Sequence, residues 1–209
     1  MNNTTIVLII FGMIAFALIH SLTADRRVKA RVQHWVGERV YHGFYRLVYN
    51  LLSVLILAPL MLLGLPQGRV IWVAPEGLLP LLLVIQLVGF IGMAVSLLQI
   101  DLLRFAGVKQ VMAYFAGENL PLASEKLNTA GIYSLVRHPL YLFALMLIWP
   151  VSPMTDVYLA YIVMATLYFV IGSLVEEQRM LRFFGDEYAQ YQRRVPWLLP
   201  VPRLRRANM

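Results

Sequence analysis

Charged residues leave long gaps along this chain, and the residues inside those gaps are almost all apolar. A helix needs roughly 20 apolar residues to cross the hydrocarbon core of a bilayer. The pattern therefore predicts a membrane-spanning helix wherever a stretch without Asp, Glu, Lys or Arg approaches that length. Four such stretches cover residues 4–22, 47–65, 78–100 and 158–175.

A fifth apolar stretch, residues 139–151, is too short to span a membrane by itself. The sequence "SPMTD" is typical of a tight turn and separates this stretch from 158–175, which predicts a C-terminal helical hairpin. The expected fold class is an all-α integral membrane protein with about five transmembrane helices. Small residues on the third predicted helix allow another helix to approach closely, within the chain or in a homo-oligomer. They are Gly89, Gly92, Ala94 and Ser96.

The distribution of basic residues predicts how the helices are oriented, because Lys and Arg accumulate in cytoplasmic loops. All but one of the 18 Lys and Arg residues fall in 23–46, 101–137 and 176–209, which the predicted helices place on one side. The exception is Arg69. We therefore expect a multi-pass membrane protein with the N-terminus outside and the C-terminus in the cytoplasm. Orientation and contact with anionic lipids explain the net charge of +7, so nucleic-acid binding is not expected.

Two of the basic segments also have the pattern of amphipathic helices. Apolar residues recur at helical spacing among basic ones in 26–46, and aromatic residues stand beside basic ones in 176–200. Such patterns predict cytoplasmic helices that lie in the membrane interface. The composition agrees, since 60% hydrophobic residues, 14% charged residues and a mean hydropathy of +0.69 are unusual in soluble domains.

The absence of cysteine excludes disulfides, thiolate metal sites and a cysteine nucleophile. No basic residue precedes the first apolar stretch, so we expect a retained helix rather than a cleaved signal peptide. No linker, internal repeat or low-complexity tract divides the chain, which favours a single membrane domain over residues 1–209.

The first candidate site is "GIYSLVRHPLYLFAL", residues 131–145, where a loop meets an apolar helix. Pro139 suits the first position of a helix, and the free N–H groups at a helix start attract anions. Arg137 could bind such an anion through two parallel hydrogen bonds. Alternatively, Arg137 only follows the positive-inside rule, and Tyr133 and Tyr141 belong to an aromatic belt. The residues alone favour the two interpretations equally.

A second candidate is the pair Glu176 and Glu177 at the end of a long apolar stretch. Adjacent helical residues project about 100° apart, so at most one of the two is expected to point into the helix bundle. The alternative is a solvated helix end with Arg179 and Arg182 as exposed partners. Negative charge at a helix C-terminus opposes the helix dipole, which favours a specific cationic or hydroxylated partner.

Two further polar residues stand among apolar ones. His20 lies near the cytoplasmic end of the first predicted helix, and Gln110 lies in "FAGVKQVM". A histidine in this position more often bonds a neighbouring helix than carries out chemistry, and a glutamine in a loop usually faces solvent. One ligand that would use all the candidate groups is S-adenosylmethionine, which has a carboxylate, an ammonium, a ribose diol, an adenine and a sulfonium.

Two motifs resemble those of a known protein family. The first is G-x-Y-x-x-x-R-H-P-x-Y, and the second, which follows the Glu pair, is F-G-x-x-Y-x-x-Y-x-x-x-V-P. Over about residues 108–200 the chain resembles the membrane methyltransferases that include isoprenylcysteine carboxyl methyltransferases and phospholipid methyltransferases. The segments "HSLTADRRVKA", "ERVYHGFYRLVYN" and "FAGVKQV" are similar to the bacterial branch of methanethiol S-methyltransferases and NnrU-like proteins.

The resemblance implies three parts: N-terminal helices (1–107), a cofactor-binding half (108–200) and a basic tail (201–209). It also implies S-adenosylmethionine as the cofactor, the bacterial inner membrane as the location, and a small or lipophilic acceptor, such as a thiol, that enters from the bilayer. Arg137, His20 and Glu177 are the implied catalytic residues. The implied cofactor-binding residues are Gln110, Tyr133, Arg137, His138, Tyr141, Glu176, Glu177, Tyr188 and Tyr191, with no metal ligand.

One residue departs from the family pattern. Many members have glycine two residues after the motif tyrosine, where this chain has Phe143. A phenylalanine there could narrow the pocket, alter the substrate or accompany a loss of activity. The alternative functions are a non-catalytic accessory protein for the assembly of a respiratory or denitrification complex, and a reductase of the related sterol-reductase type. The latter would need a nicotinamide cofactor, and the chain has no G-x-G-x-x-G motif.

Overall fold

The computed structural model describes residues 2–64, 68–124 and 126–201, most of which are helical. Two short 3-10 helices, Glu76–Leu78 and Gly131–Ser134, precede α4 and α7. A short antiparallel pair of strands, β1 (Val70–Trp72) and β2 (Met154–Thr155), is the described exception to the all-α expectation. The α-helices are α1 Asn2–Ala24, α2 Arg26–Val36, α3 Glu38–Gly64, α4 Leu79–Leu98, α5 Leu102–Ala106, α6 Val108–Phe115, α7 Pro139–Ile148, α8 Asp156–Phe184 and α9 Asp186–Arg194.

Four helices among the described residues are long and apolar enough to cross a membrane, namely α1, α3, α4 and α8. They overlap the four long apolar stretches of the sequence. Two of them extend into the basic segments: α3 begins at Glu38, and α8 continues to Phe184, so the first part of the amphipathic segment expected over 176–200 belongs to α8. The fifth stretch forms α7, an apolar helix of only 10 residues, as its length indicated. The hairpin of α7 and α8, the number of spans and their orientation stay predictions. Leu65, where the second helix was expected to end, and residues 202–209 of the basic tail lie outside the described residues.

The interfacial helix expected over 26–46 is divided in the structure. Gly37 has a φ of 83°, and its N–H bonds the carbonyl of Gln33, so α2 ends at Val36. The residues after Gly37 form the first turns of α3. The helical spacing of apolar residues continues across Gly37, so the sequence pattern does not reveal that the helix is interrupted there.

The chain groups into two compact units. The first unit comprises Met1–Val73, Asp101–Glu125 and Pro153–Ala165. The second unit comprises Ala74–Ile100, Lys126–Ser152 and Thr166–Met209. The division of the chain into 1–107, 108–200 and 201–209 within one domain stays a prediction.

In the first unit, α3 packs against α1 and α6. Gly107 joins α5 to α6 with a φ of 96°, and a Cβ atom at this position would overlap the backbone of Leu47 on α3. The Asn50 amide donates to the carbonyls of Phe105 (2.8 Å) and Ala106 (3.0 Å) at the end of α5. The junction of α5 and α6 is thus held closely against α3.

In the second unit, α7 packs chiefly against α4. Gly89 and Gly92 of α4 lie beneath the buried Phe143 of α7, and this confirms the close helix approach that the small residues predict. In the same unit, α9 and the segment after it contribute Tyr188, Tyr191 and Val195 to a small buried core.

Candidate ligand-binding site

The start of α7 is closed by the backbone of the C-terminal segment. The N–H of Arg137 donates to the carbonyls of Pro196 (2.9 Å) and Trp197 (3.1 Å), and the N–H of His138 donates to Trp197 (3.3 Å). Pro139, the first residue of α7, has no N–H group. Two of the backbone donors at this helix start are therefore occupied by protein carbonyls.

The Arg137 side chain joins α7, α8 and the end of α9. Its Nε donates to Glu177 Oε1 at 2.6 Å. Its Nη1 donates to the carbonyls of Gln192 (3.1 Å) and Val195 (2.7 Å). The Arg137 and Glu177 side chains are only 6% and 12% exposed. Nε and Nη1 of the guanidinium thus bind protein acceptors, and the implied catalytic and cofactor-binding roles of Arg137 stay predictions.

Glu177 accepts hydrogen bonds at both carboxylate oxygens. Oε1 accepts from Arg137 and lies 3.2 Å from His138 Nε2, which must be the donor because a carboxylate only accepts. Oε2 accepts from the Gln192 amide at 2.8 Å. Sequence reasoning missed Gln192, since an amide among the charged residues of an amphipathic helix gives no signal of its own.

Glu176 has a different environment from its neighbour, as the 100° between adjacent helical residues predicts. Its side chain is 40% exposed, and its Oε2 lies 3.8 Å from His138 Nδ1. The Tyr141 hydroxyl donates to the same oxygen at 3.0 Å. Among the described residues, no lysine or arginine forms an ion pair with Glu176.

Three aromatic side chains form a stack, and two of them, His138 and Tyr141, lie near Glu176. The rings of His138 and Tyr141 are 5.5 Å apart and nearly parallel, with 6° between their planes. On α8, Phe169 stacks on Tyr141 at 5.2 Å with 15° between planes. Phe169 precedes Glu176 by seven residues, which places both on one face of α8, two turns apart. Sequence reasoning missed Phe169, because an aromatic residue in an apolar helix is ordinary.

The remaining tyrosines of the predicted site make contacts within the second unit. The Tyr191 hydroxyl donates to the carbonyl of Tyr133 at 2.6 Å, and burial raises the pKa of Tyr191 to about 12. Tyr188 and Tyr191 are each 3% exposed. Burial also raises the pKa of Tyr133, and the negative charge of Glu176 raises it further. Tyr188 and Tyr191 as cofactor ligands stay predictions.

His20 belongs to the first unit and bonds two residues of α3. The Ser53 hydroxyl donates its proton to the carbonyl of Tyr49, so His20 Nδ1 must donate to Ser53 Oγ, which is 3.0 Å away. A neutral His20 then accepts the hydroxyl proton of Tyr49 at Nε2. These bonds define the tautomer of the ring and identify Tyr49 as a partner that the sequence did not indicate.

Gln110, also in the first unit, is 8% exposed and lies in α6. Its amide nitrogen donates to the carbonyl of Arg104 at 3.1 Å. Its Oε1 is buried and has no hydrogen-bond partner in the described part of the chain. The structure thus brings eight of the ten predicted site residues into the second unit, and it places His20 and Gln110 in the first. No His, Asp and Glu cluster suited to a metal ion occurs among the described residues.

Comparison with known proteins places the chain in a family. The family model described as NnrU protein matches residues 8–152. Methanethiol S-methyltransferase 1 of Bradyrhizobium diazoefficiens is 31% identical over 91% of this chain and 65% of its own length. Methanethiol S-methyltransferase of Crocosphaera subtropica is 31% identical over 94% of this chain and 75% of its own length.

Nurim of Xenopus laevis is 30% identical over 78% of this chain and 58% of its own length. The chain therefore spans between about half and three quarters of these relatives. No solved structure matches. The matches confirm the bacterial branch that the motifs indicated: the chain belongs to the NnrU protein family.

Proposed function

We propose that this protein is a membrane methyltransferase that uses S-adenosylmethionine to methylate a small or lipophilic acceptor, such as a thiol. The observation that carries the proposal is the half-exposed carboxylate of Glu176, which lies beside stacked aromatic rings and has no described lysine or arginine partner. An ionisable group of this kind near a membrane helix is costly to keep and marks a binding site. Relatives named for methyl transfer to methanethiol support the reaction class.

The groups on the second unit fit S-adenosylmethionine in chemical type. A carboxylate with spare acceptor capacity suits ribose hydroxyls or a positive charge, and aromatic rings suit a sulfonium or a purine. Glu176, Tyr141, Phe169 and Tyr133 are the residues that would hold the cofactor. Arg137 stays a predicted member of the site, and its Nε and Nη1 donate to Glu177 and to two backbone carbonyls.

When bound, S-adenosylmethionine supplies a methyl group that is activated by attachment to a positively charged sulfur. The buried ion pair of Arg137 and Glu177 joins the start of α7 to α8. Holding the methyl donor and the acceptor in line can contribute roughly 7 to 11 kcal/mol to lowering the barrier. The apolar helices exclude water and take up a lipophilic acceptor from the bilayer. Methylation of the acceptor sulfur requires the thiol proton to move to a base.

Three of the predicted site residues could act as that base: Glu177, His20 and His138. Both oxygens of Glu177 already accept hydrogen bonds. Nε2 of His20 likewise already accepts a hydrogen bond from the Tyr49 hydroxyl, and Nε2 of His138 donates to Glu177. We keep His20, the histidine of the predicted catalytic set, as the base that is tested first.

Titration calorimetry of the purified protein in detergent, with S-adenosylmethionine and with S-adenosylhomocysteine, tests the proposal. We expect both ligands to bind. A screen for methyl transfer to volatile thiols, prenylated cysteine and aminophospholipids then identifies the acceptor. Failure of both ligands to bind would exclude the methyltransferase function and leave the role of an accessory protein.

A further inference from the structure

The helix α6 in the first unit has its polarity reversed relative to a surface helix in water. Met112 and Phe115 are 61% and 75% exposed, whereas Gln110 is buried. Gln110 projects about 160° away from Met112 around the helix axis, so the two lie on opposite faces. A surface helix of a soluble protein normally buries its apolar face and exposes its polar one. Water is therefore a poor environment for the outward face of α6.

The neighbouring helix α5 extends this apolar surface. Its side chains Leu102, Leu103 and Phe105 are each about half exposed. Together with Met112 and Phe115 they form what we name the α5–α6 surface. Exposed apolar side chains that occur in such a group mark a site of interaction.

The packing of α5 and α6 on α3 indicates where this surface lies. The Tyr114 side chain of α6 lies against Gly43, and the Asn50 amide donates to the Phe105 carbonyl at 2.8 Å. Both contacts are made where the long apolar stretch of α3 begins. Leu51, the residue after Asn50, is 53% exposed on a helix that is long and apolar enough to cross a membrane. The α5–α6 surface is thus continuous with the apolar surface of a candidate membrane span.

Two arginines of α3 lie beside the aromatic rings of α5 and α6. The guanidinium of Arg39 is 5.4 Å from the centre of the Tyr114 ring, and that of Arg46 is 5.9 Å from the centre of the Phe105 ring. Aromatic rings and long basic side chains occur together at the level of the lipid headgroups, where the stems contact apolar surface and the cationic groups face phosphates. The charge at this level of α3 therefore matches a lipid surface.

We propose that the α5–α6 surface is a membrane-contact surface that lies in the bilayer interface, with Met112 and Phe115 inserted at the boundary between headgroups and acyl chains. The interfacial helices expected from the sequence were in 26–46 and 176–200. Helices as short as α5 and α6 cover too few turns to show a helical period. This assignment concerns the position of the protein in the bilayer and does not depend on the proposed function.

Spin labels at single introduced cysteines test the assignment, because the chain has no cysteine of its own. The full-length variants Met112→Cys and Phe115→Cys are labelled with a nitroxide and placed in vesicles of phosphatidylethanolamine and phosphatidylglycerol. Collisions of the label with oxygen, which concentrates in the bilayer, are compared with collisions with a water-soluble nickel chelate. Glu118→Cys, at an exposed polar position shortly after α6, is the matched control. We expect the ratio of oxygen to nickel accessibility to be higher at positions 112 and 115 than at 118.

Equal ratios at the three positions would show that the α5–α6 surface faces water and would overturn the assignment. Exclusion of both reagents from positions 112 and 115 would show that protein covers the surface, and this result would also overturn it. In that case, dipolar broadening between labels would identify the covering protein as a second copy of this chain. Failure of the protein to bind S-adenosylmethionine would leave the assignment unaffected, because the labels measure only the depth of each position.

Discussion

The ring of Phe143 occupies the space in which a side chain at position 92 would lie. A Cβ atom built on Gly92 overlaps the ring, and a Cβ atom on Gly89 would be 3.0 Å from the Phe143 carbonyl oxygen. Phe143 and Tyr141 are two residues apart on α7, so their side chains point about 200° from each other. The Phe143 side chain thus packs against α4 at Gly89 and Gly92, whereas Tyr141 contacts Glu176 from a different face of α7.

This relationship predicts that Gly92→Ala is destabilising. The added methyl group forces the Phe143 ring away from α4, at a cost of about 1 to 3 kcal/mol. The measurement is the thermal unfolding midpoint of the purified protein in detergent. Gly172→Ala is the matched control, because a Cβ atom on Gly172 of α8 meets nothing within 4 Å. We expect this control to be neutral or slightly stabilising, since alanine favours helix more than glycine.

Combining Gly92→Ala with Phe143→Ala tests whether the two positions are coupled. Phe143→Ala alone leaves a cavity and should cost about 3 to 5 kcal/mol. The double variant should be more stable than the sum of the two losses predicts, because the methyl group then enters the cavity. Strict additivity would mean that the ring and the glycine do not contact each other.

The ion pair of Arg137 and Glu177 predicts a large stability loss in Arg137→Gln. The substitution leaves a mostly buried carboxylate without its cationic partner and removes the donors to Gln192 and Val195, at a cost of about 3 kcal/mol. Thermal unfolding in detergent measures the loss. Arg179→Gln, an exposed arginine of the same helix as Glu177, should change stability by less than about 0.5 kcal/mol.

Combining Glu177→Gln with Arg137→Gln separates the free energy contributed by the ion pair from that of the other hydrogen bonds of the two residues. If the two residues act as a pair, the double variant loses less than the sum of the single variants, by about 1 to 3 kcal/mol. Equal stability of Arg137→Gln and Arg179→Gln would contradict a stabilising role for Arg137. In that case, the implied catalytic role would be the better explanation of this residue.

Tyr191→Phe should lower stability by about 1 kcal/mol, because it removes the hydroxyl that donates to the Tyr133 carbonyl. The ring itself remains in the buried core of α9. We expect the dissociation constant of S-adenosylmethionine to stay unchanged, as measured by calorimetry. A lowered affinity at unchanged stability would instead support the role in cofactor binding that the family motif implies.

His20→Ala tests the predicted base. If His20 takes up the thiol proton, the turnover number falls by about 10² to 10⁴ while the cofactor dissociation constant is unchanged. Tyr49→Phe removes the hydroxyl that donates to His20 and provides the companion variant. A histidine that only joins α1 to α3 would show the opposite result, with a lowered unfolding midpoint and an unchanged turnover number.

The residues of the candidate site differ in whether they could be predicted from the sequence. The motif from Gly131 to Tyr141 and the Glu pair were identifiable, because unlike polar groups interrupt apolar stretches there. Their partners were not identifiable. Gln192 and Phe169 are ordinary residues for their helices, and only the packing of α7, α8 and α9 brings them to Glu177 and Tyr141.

The sequence alone determined the class of the protein, the positions of its long helices and the short fifth helix. These follow from the length of apolar stretches, since each helix satisfies its own backbone and must bury its apolar side chains. Only the tertiary structure decided which of the two glutamates forms an ion pair with Arg137 and which is bonded by the Tyr141 hydroxyl. Glu176 and Glu177 are chemically identical and adjacent, and their difference comes from the 100° of helical rotation that turns one toward Arg137 and the other toward Tyr141.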